Sequence, residues 1–288
     1  MACRLLVLSL AVAACDEGFE SRRWDIIDGE YSPGHPGVVL ITNVPAVRSC
    51  TAVAISPRVV LTAKHCTIDT TATDWIVAVG DVTRPPSERI GQLAVADMRQ
   101  AGDPAVLVQG SGEDIAVLLL AEDFRWKTYG WADGLPEGFG NGSQVTLRAY
   151  GDTDPTEEIV FGVRYERSAE VYDLQDGTFA ADVGGCHGDS GGPAIDEAGT
   201  VVGVASVADL PSCGGWTQFE RVDVQAEMIR AAIADTSGAD GDADADTDTD
   251  GDSDSDSDAG SDDAGSDAGA DERTGGSSSG CGCTIVGR

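Results

Sequence analysis

Nine short runs rich in β-branched residues constrain this chain more than anything else in it. They are Val38–Thr42, Thr51–Ile55, Val59–Thr62, Trp75–Val79, Ile115–Leu120, Gln144–Ala149, Ala169–Tyr172, Thr178–Ala181 and Thr200–Val207. Branching at Cβ restricts χ1 in a helix but packs well on a pleated sheet. Glycine, proline, asparagine and aspartate separate the runs, as in Ser32-Pro33-Gly34 and Gly140-Asn141-Gly142. Many short strands cut by such turns specify an all-β barrel or sandwich. One helical pattern closes the folded region, over about 222–234, with Val224, Met228 and Ala231/Ala232 at helical spacing and Asp223 near its start. The polar, glycine-rich stretch from Glu122 to Gly142 reads as the connection between two halves.

Charge separates this body from the acidic segment C-terminal to it. Ile26 to Ala234 holds 30 acids and 13 bases, whereas Asp235 to Glu272 holds fifteen Asp and one Glu with no base. The body has enough apolar residues for a core; the later segment does not and is expected to be a disordered linker over 235–280. A net charge of −32 excludes the basic footprint that nucleic acid requires. It also disfavours adsorption to anionic lipid. Within the linker, Asp246-Thr-Asp248-Thr-Asp250-Gly251-Asp252 matches the opening of an EF-hand loop, but Ser253 and Ser257 stand where an apolar anchor and a bidentate Glu belong. Loose calcium binding by a solvated tail is the expectation, with no cofactor required.

At the other end, Arg4 and the apolar stretch Leu5–Ala14 read as an export signal over residues 1–15, too short to span a bilayer. Val12-Ala13-Ala14-Cys15 resembles the lipobox of exported bacterial proteins, which implies lipid attachment and membrane anchoring at Cys15; an ordinary secretory signal is the alternative. Residues 16–25 would then be a propeptide or linker. Export makes the compartment oxidising, so Cys50, Cys66, Cys186 and Cys213 are candidates for disulfides. Three pairings are open; Cys50–Cys66 with Cys186–Cys213 closes two modest loops. The segment 281–288, with Cys281-Gly-Cys283, resembles the start of a surface-sorting tail but lacks the apolar helix that such tails continue into.

Few residues can carry imidazole chemistry. His35 lies in a proline-glycine turn and reads as structural. His65 follows the apolar run Val59–Leu61 and adjoins Cys66, so a stapled element would hold its ring. Asp114 enters the wholly apolar run Ile115–Leu120; burying that carboxylate is costly unless it is paired, and a solvated strand edge is the plain alternative. In Gly184-Gly185-Cys186-His187-Gly188-Asp189-Ser190-Gly191-Gly192-Pro193, glycines flank a serine and permit a tight turn with convergent N–H groups. A zinc site from His65, Cys66, Cys186 and His187 is disfavoured, because adjacent His-Cys side chains do not readily converge on one ion.

Leu61-Thr-Ala-Lys-His65-Cys66, Asp114-Ile-Ala-Val-Leu118 and Gly188-Asp-Ser190-Gly-Gly-Pro193, in that order, resemble the signatures of trypsin/chymotrypsin-type serine endopeptidases. The likeness spans 26–234. It implies two six-stranded antiparallel β-barrels, over about 26–125 and 139–222, and a C-terminal α-helix. It also implies the disulfides Cys50–Cys66 and Cys186–Cys213. By resemblance, Ser190 is the nucleophile, His65 its base and Asp114 the group orienting that base. The N–H groups of Gly188 and Ser190 would form the oxyanion hole, and Ser206 would support Asp114.

A serine hydroxyl is a poor nucleophile until a base takes its proton, and imidazole titrates near working pH. The resemblance further implies that Asp189 receives the N-terminus of Ile26 after cleavage before Ile26-Ile27-Asp28-Gly29. In the substrate pocket, Gly184 replaces a basic-specific Asp, while Ala208 and Thr217 stand at wall positions usually held by glycine. This implies a small or medium apolar P1 residue, in protein or peptide substrates of a monomeric enzyme. Cys50-Thr51-Ala52-Val53 departs from the family's Cys-Gly-Gly-Ser, and Lys64 replaces an alanine before the histidine. The rival is a catalytically silent fold serving as a secreted binding module.

Overall fold

The structure is a computed structural model that describes Ile26 and residues 29–81, 90–151, 162–209 and 213–237. The export signal, Cys15, the segment 16–25, the Asp-rich linker from 238 onward and Cys281-Gly-Cys283 lie outside the described residues. No helix among those described is long and apolar enough to cross a membrane.

The described residues form fourteen strands and two α-helices: β1 (Glu30–Tyr31), β2 (Val38–Asn43), β3 (Arg48–Ser56), β4 (Val59–Thr62), α1 (Lys64–Thr67), β5 (Trp75–Val79), β6 (Gly91–Gln100), β7 (Ala116–Leu120), β8 (Gly130–Trp131), β9 (Gln144–Ala149), β10 (Tyr165–Tyr172), β11 (Thr178–Ala181), β12 (Pro193–Asp196), β13 (Thr200–Ala208), β14 (Thr217–Arg221) and α2 (Ala226–Ser237). The first barrel closes in the order β2-β3-β4-β7-β6-β5, antiparallel throughout. The second closes through β9-β10-β11-β14-β13-β12, with β12 returning to β9. Closure leaves no unpaired edge in either ring, which suits short strands rich in Val and Ile.

Three boundaries differ from the sequence reading. The segment assigned to the first barrel from residue 26 contains β1, and β1 pairs with β10 of the second barrel. The final helix starts as a 3₁₀ turn over Val222–Gln225 and continues as α2 to Ser237, three residues into the stretch assigned to the linker. Ala226, Ile229 and Ala232 are the buried face of α2, which packs on β4 and β7. None of the three added residues is buried; Asp235 accepts the Arg99 guanidinium at 2.6 Å, and the Thr236 and Ser237 hydroxyls donate to the Ala232 and Ile233 carbonyls one turn back. Three further barrel strands, β6, β12 and β14, lie outside the nine runs.

The two barrel cores are apolar, with Val53, Leu61, Val117 and Leu118 fully buried in the first and Leu147, Val204 and Phe219 in the second. Across the seam, buried Arg164 donates to the Val38 carbonyl of β2 at 3.2 Å, and it also donates to Tyr150 Oη at 2.7 Å and to the Ser32 carbonyl at 2.9 Å. Burial pushes the Tyr150 phenol up to about 12, the Arg164 charge notwithstanding, so it remains a neutral hydrogen-bonding group.

Candidate active site

Strand pairing brings the first two candidates together. β4 ends at Thr62, whose register partner is Ala116 at the start of β7. His65 lies just past the end of β4 and Asp114 just before β7, so adjacency of the strands sets the residues side by side. Asp114 is fully buried and grips His65 twice: its Oδ1 accepts the His65 backbone N–H at 2.7 Å, and its Oδ2 meets Nδ1 at 2.7 Å. Ser206, on β13, donates its hydroxyl to the same Oδ2 at 2.5 Å. A carboxylate removed from water is stabilised here by charge-assisted bonds. With Oδ2 at Nδ1, the ring's other nitrogen is left for chemistry.

Ser190 arrives from the second barrel on the loop before β12. Its carbonyl accepts the Thr51 N–H at 2.9 Å, tying the loop to β3. Gly191 comes next at φ +82°, where an added Cβ would lie 2.2 Å from both the Thr51 carbonyl and Thr62 Oγ1. Only glycine allows the serine loop so close to the first barrel. His65 and Ser190 line one groove of about 1160 Å³. Among the described residues no hydrogen bond joins His65 to the Ser190 hydroxyl. Gly188 takes φ +93°, and among described residues neither its N–H nor that of Ser190 meets a protein acceptor.

Asp189 is buried and accepts the N–H groups of Gly151 and Cys186 at 2.9 and 2.8 Å; Ile26 is buried in the core. Cys50–Cys66 and Cys186–Cys213 are disulfides, so the thiols of the zinc alternative are consumed, although Cys50, Cys66 and His65 lie close together. Ser206, Ala208 and Thr217 line the groove. Gly184 does not: it is buried, and Gly185 takes its place in the lining. Thr217 accepts the Gly185 N–H at 2.9 Å and donates to the Val183 carbonyl at 2.7 Å, bracing that wall. His35 lies apart, at 3.1 Å from the Tyr129 hydroxyl, its pKa lowered chiefly by burial.

Three contributors escaped the sequence reading. Gln109 donates its amide to the Ser206 carbonyl at 3.2 Å and approaches Asp114 Oδ2 at 3.4 Å. Glu220 is fully buried on β14 and accepts the Gly110 and Gly112 N–H groups at 2.5 Å, which holds the loop leading to Asp114. Burial raises the Glu220 pKa, and the Asp114 charge adds to the rise against these bonds. Its one visible signal was an acid in mid-strand, in Phe219-Glu220-Arg221. Lys64, also fully buried, donates to the Ala101 and Asp103 carbonyls at 2.7 Å and ties α1 to the same loop.

Two six-stranded barrels, with His65 and Ser190 on one groove and Asp114 buried behind His65, define the trypsin-like two-barrel class. The family model described as Trypsin matches residues 27–228, and the chain belongs to the trypsin family. Two solved structures of human heparin binding protein share the fold: a mutant form at 19% identity and TM-score 0.61, and a second form at 21% and 0.60. Each alignment covers 72% of this chain and 96% of that one. No curated protein sequence is significantly similar to the chain.

Proposed function

We propose that the protein is an exported serine endopeptidase acting through an acyl-enzyme. The observation that carries the reading is His65, held twice by a fully buried Asp114 on the groove that Ser190 lines. Ser190 Oγ attacks the scissile carbonyl carbon as His65 Nε2 takes its proton. The Gly188 and Ser190 N–H groups receive the developing oxyanion. The C–N bond then breaks as His65 returns the proton to the leaving amine, and water, activated by the same base, hydrolyses the Ser190 ester. Asp114, with Ser206 behind it, holds the ring and stabilises its cationic form.

Ala208 and Thr217 narrow a pocket without a floor carboxylate, which supports small or medium apolar P1 residues. Cleavage before Ile26 would give Asp189 an ammonium partner and also release a lipid anchor at Cys15. Two disulfides suit an extracellular location.

The neighbours' name favours a second reading, a binding module. Heparin is a polyanion, and a chain of net charge −32 is a poor receptor for it. Labelling with a fluorophosphonate separates the readings. The wild-type chain is expected to be labelled at Ser190 and to cleave peptides, and Ser190→Ala to do neither. An unlabelled, inactive wild type with Ile26 as its N-terminus would refute the enzyme.

A further inference from the structure

Thr51 stands where the family sequence has glycine, in the first position after Cys50, and it is fully buried. Glycine there could offer only its backbone; threonine adds a hydroxyl. That hydroxyl donates to the Gly188 carbonyl at 2.8 Å and accepts the Tyr150 N–H at 2.9 Å. The accepted bond leaves the hydroxyl proton free for Gly188. The Thr51 backbone N–H holds the Ser190 carbonyl at 2.9 Å, and its own carbonyl accepts the Thr62 hydroxyl at 2.9 Å. One residue of the first barrel thus grips the carbonyls on both sides of Asp189.

These carbonyls belong to the loop whose Gly188 and Ser190 line the groove. A peptide unit is planar, so anchoring its oxygen fixes the whole unit and the direction in which its neighbours can turn. Gly188 needs the restraint most. At φ +93° it occupies backbone space that a glycine enters and leaves freely. Asp189 braces the loop from the other side, through Gly151 and Cys186. Tyr150 and Gly151 are consecutive, so the hydroxyl and the carboxylate hold the loop against one strand end.

We propose that Thr51 is a positioning residue for the oxyanion-binding loop, its hydroxyl setting the Gly188 carbonyl and thereby aiming the Gly188 and Ser190 N–H groups at the groove. The inference rests on the serine endopeptidase reading. Misaiming donors costs part of what removing one costs, and removal is typically worth ~10²–10³ in turnover.

The test uses the processed full chain, with active sites counted by fluorophosphonate. Thr51→Val keeps the shape and deletes the hydroxyl. It is expected to lower kcat per active site by about 10- to 100-fold with KM within about twofold. A peptide aldehyde, whose adduct carries the oxyanion, should lose affinity in parallel, while the corresponding peptide amide should not. Thr51→Ser retains the hydroxyl and is expected within about threefold of wild type in kcat. A merely structural role would lower the melting temperature and the count of active sites but leave kcat per site and the aldehyde-to-amide ratio unmoved. That result overturns the inference, as does a serine variant as impaired as the valine one. Should Thr51→Val not unfold cooperatively, Thr51→Ala replaces it with the same expectation. A wild type that is neither labelled nor active would sink the enzyme reading and this inference together; an active wild type with an unaffected Thr51→Val sinks this inference alone.

Discussion

Gly191→Ala places one methyl group at the tightest point between the barrels. An added Cβ would sit 2.2 Å from the Thr51 carbonyl oxygen and from Thr62 Oγ1, and 3.0 Å from the Ala63 nitrogen. Neither oxygen can yield alone, since they are bonded to one another at 2.9 Å and belong to paired strands. Two costs add. A left-handed φ costs a non-glycine residue about 1–2 kcal/mol, and overpacking costs about 1–3 kcal/mol. The sum, about 2–5 kcal/mol, is a large share of a domain's ~5–15 kcal/mol. In a domain of this size it lowers the melting temperature by about 4–20 °C. Relief by movement would displace Ser190 and strain the Gly191 N–H bond to the Ala205 carbonyl, 2.8 Å long, so turnover should fall as well. Thermal unfolding followed by circular dichroism, with peptide hydrolysis on the same samples, measures both. A variant melting within about 2 °C of wild type at unchanged turnover would refute the close approach of the serine loop to the first barrel.

Two further outcomes are expected. Ser206→Ala removes the 2.5 Å bond to Asp114 Oδ2; a hydrogen bond to a charged group is worth about 1.5–3 kcal/mol, so kcat should drop about 10- to 100-fold, and steady-state kinetics showing no drop would count against Ser206 as a support. Burial alone would raise the Glu166 pKa, but the Ser32 hydroxyl and the Arg148 guanidinium outweigh it and hold the carboxyl below its ordinary 4.5. A carboxylate with a depressed folded-state pKa stabilises fully above its unfolded value and loses that contribution as pH falls through the folded one. The melting-temperature gap between wild type and Glu166→Gln should therefore narrow as pH falls below the ordinary 4.5; a gap independent of pH would contradict the ion pair.

Local pattern carried the parts of this protein whose chemistry is local. Trp75–Val79, Gln144–Ala149 and Thr178–Ala181 begin and end in the fold where their β-branched runs do, because turn residues bound them. The His65, Asp114 and Ser190 segments were legible for a related reason: each packs an unusual polar group against an apolar run or between glycines. By contrast, β6 escaped because most of its ten residues are exposed or partly exposed, so nothing distinguishes them from a loop. β14 escaped because its acid, Glu220, looks solvated until its partners are known.

Those partners separate what the sequence determined from what tertiary structure decided. The chain alone established an all-β body, four cysteines as disulfide candidates and the order of its histidine, aspartate and serine. Only the closed barrels revealed why Lys64, Thr51 and Glu220 can be buried. The acceptors for Lys64 are carbonyls of residues 101 and 103, those for Thr51 lie in the opposite barrel, and Glu220 reaches amides more than a hundred positions away. A buried polar group is tolerated only when its bonds are made, and bonds to distant backbone leave no mark in the neighbouring residues.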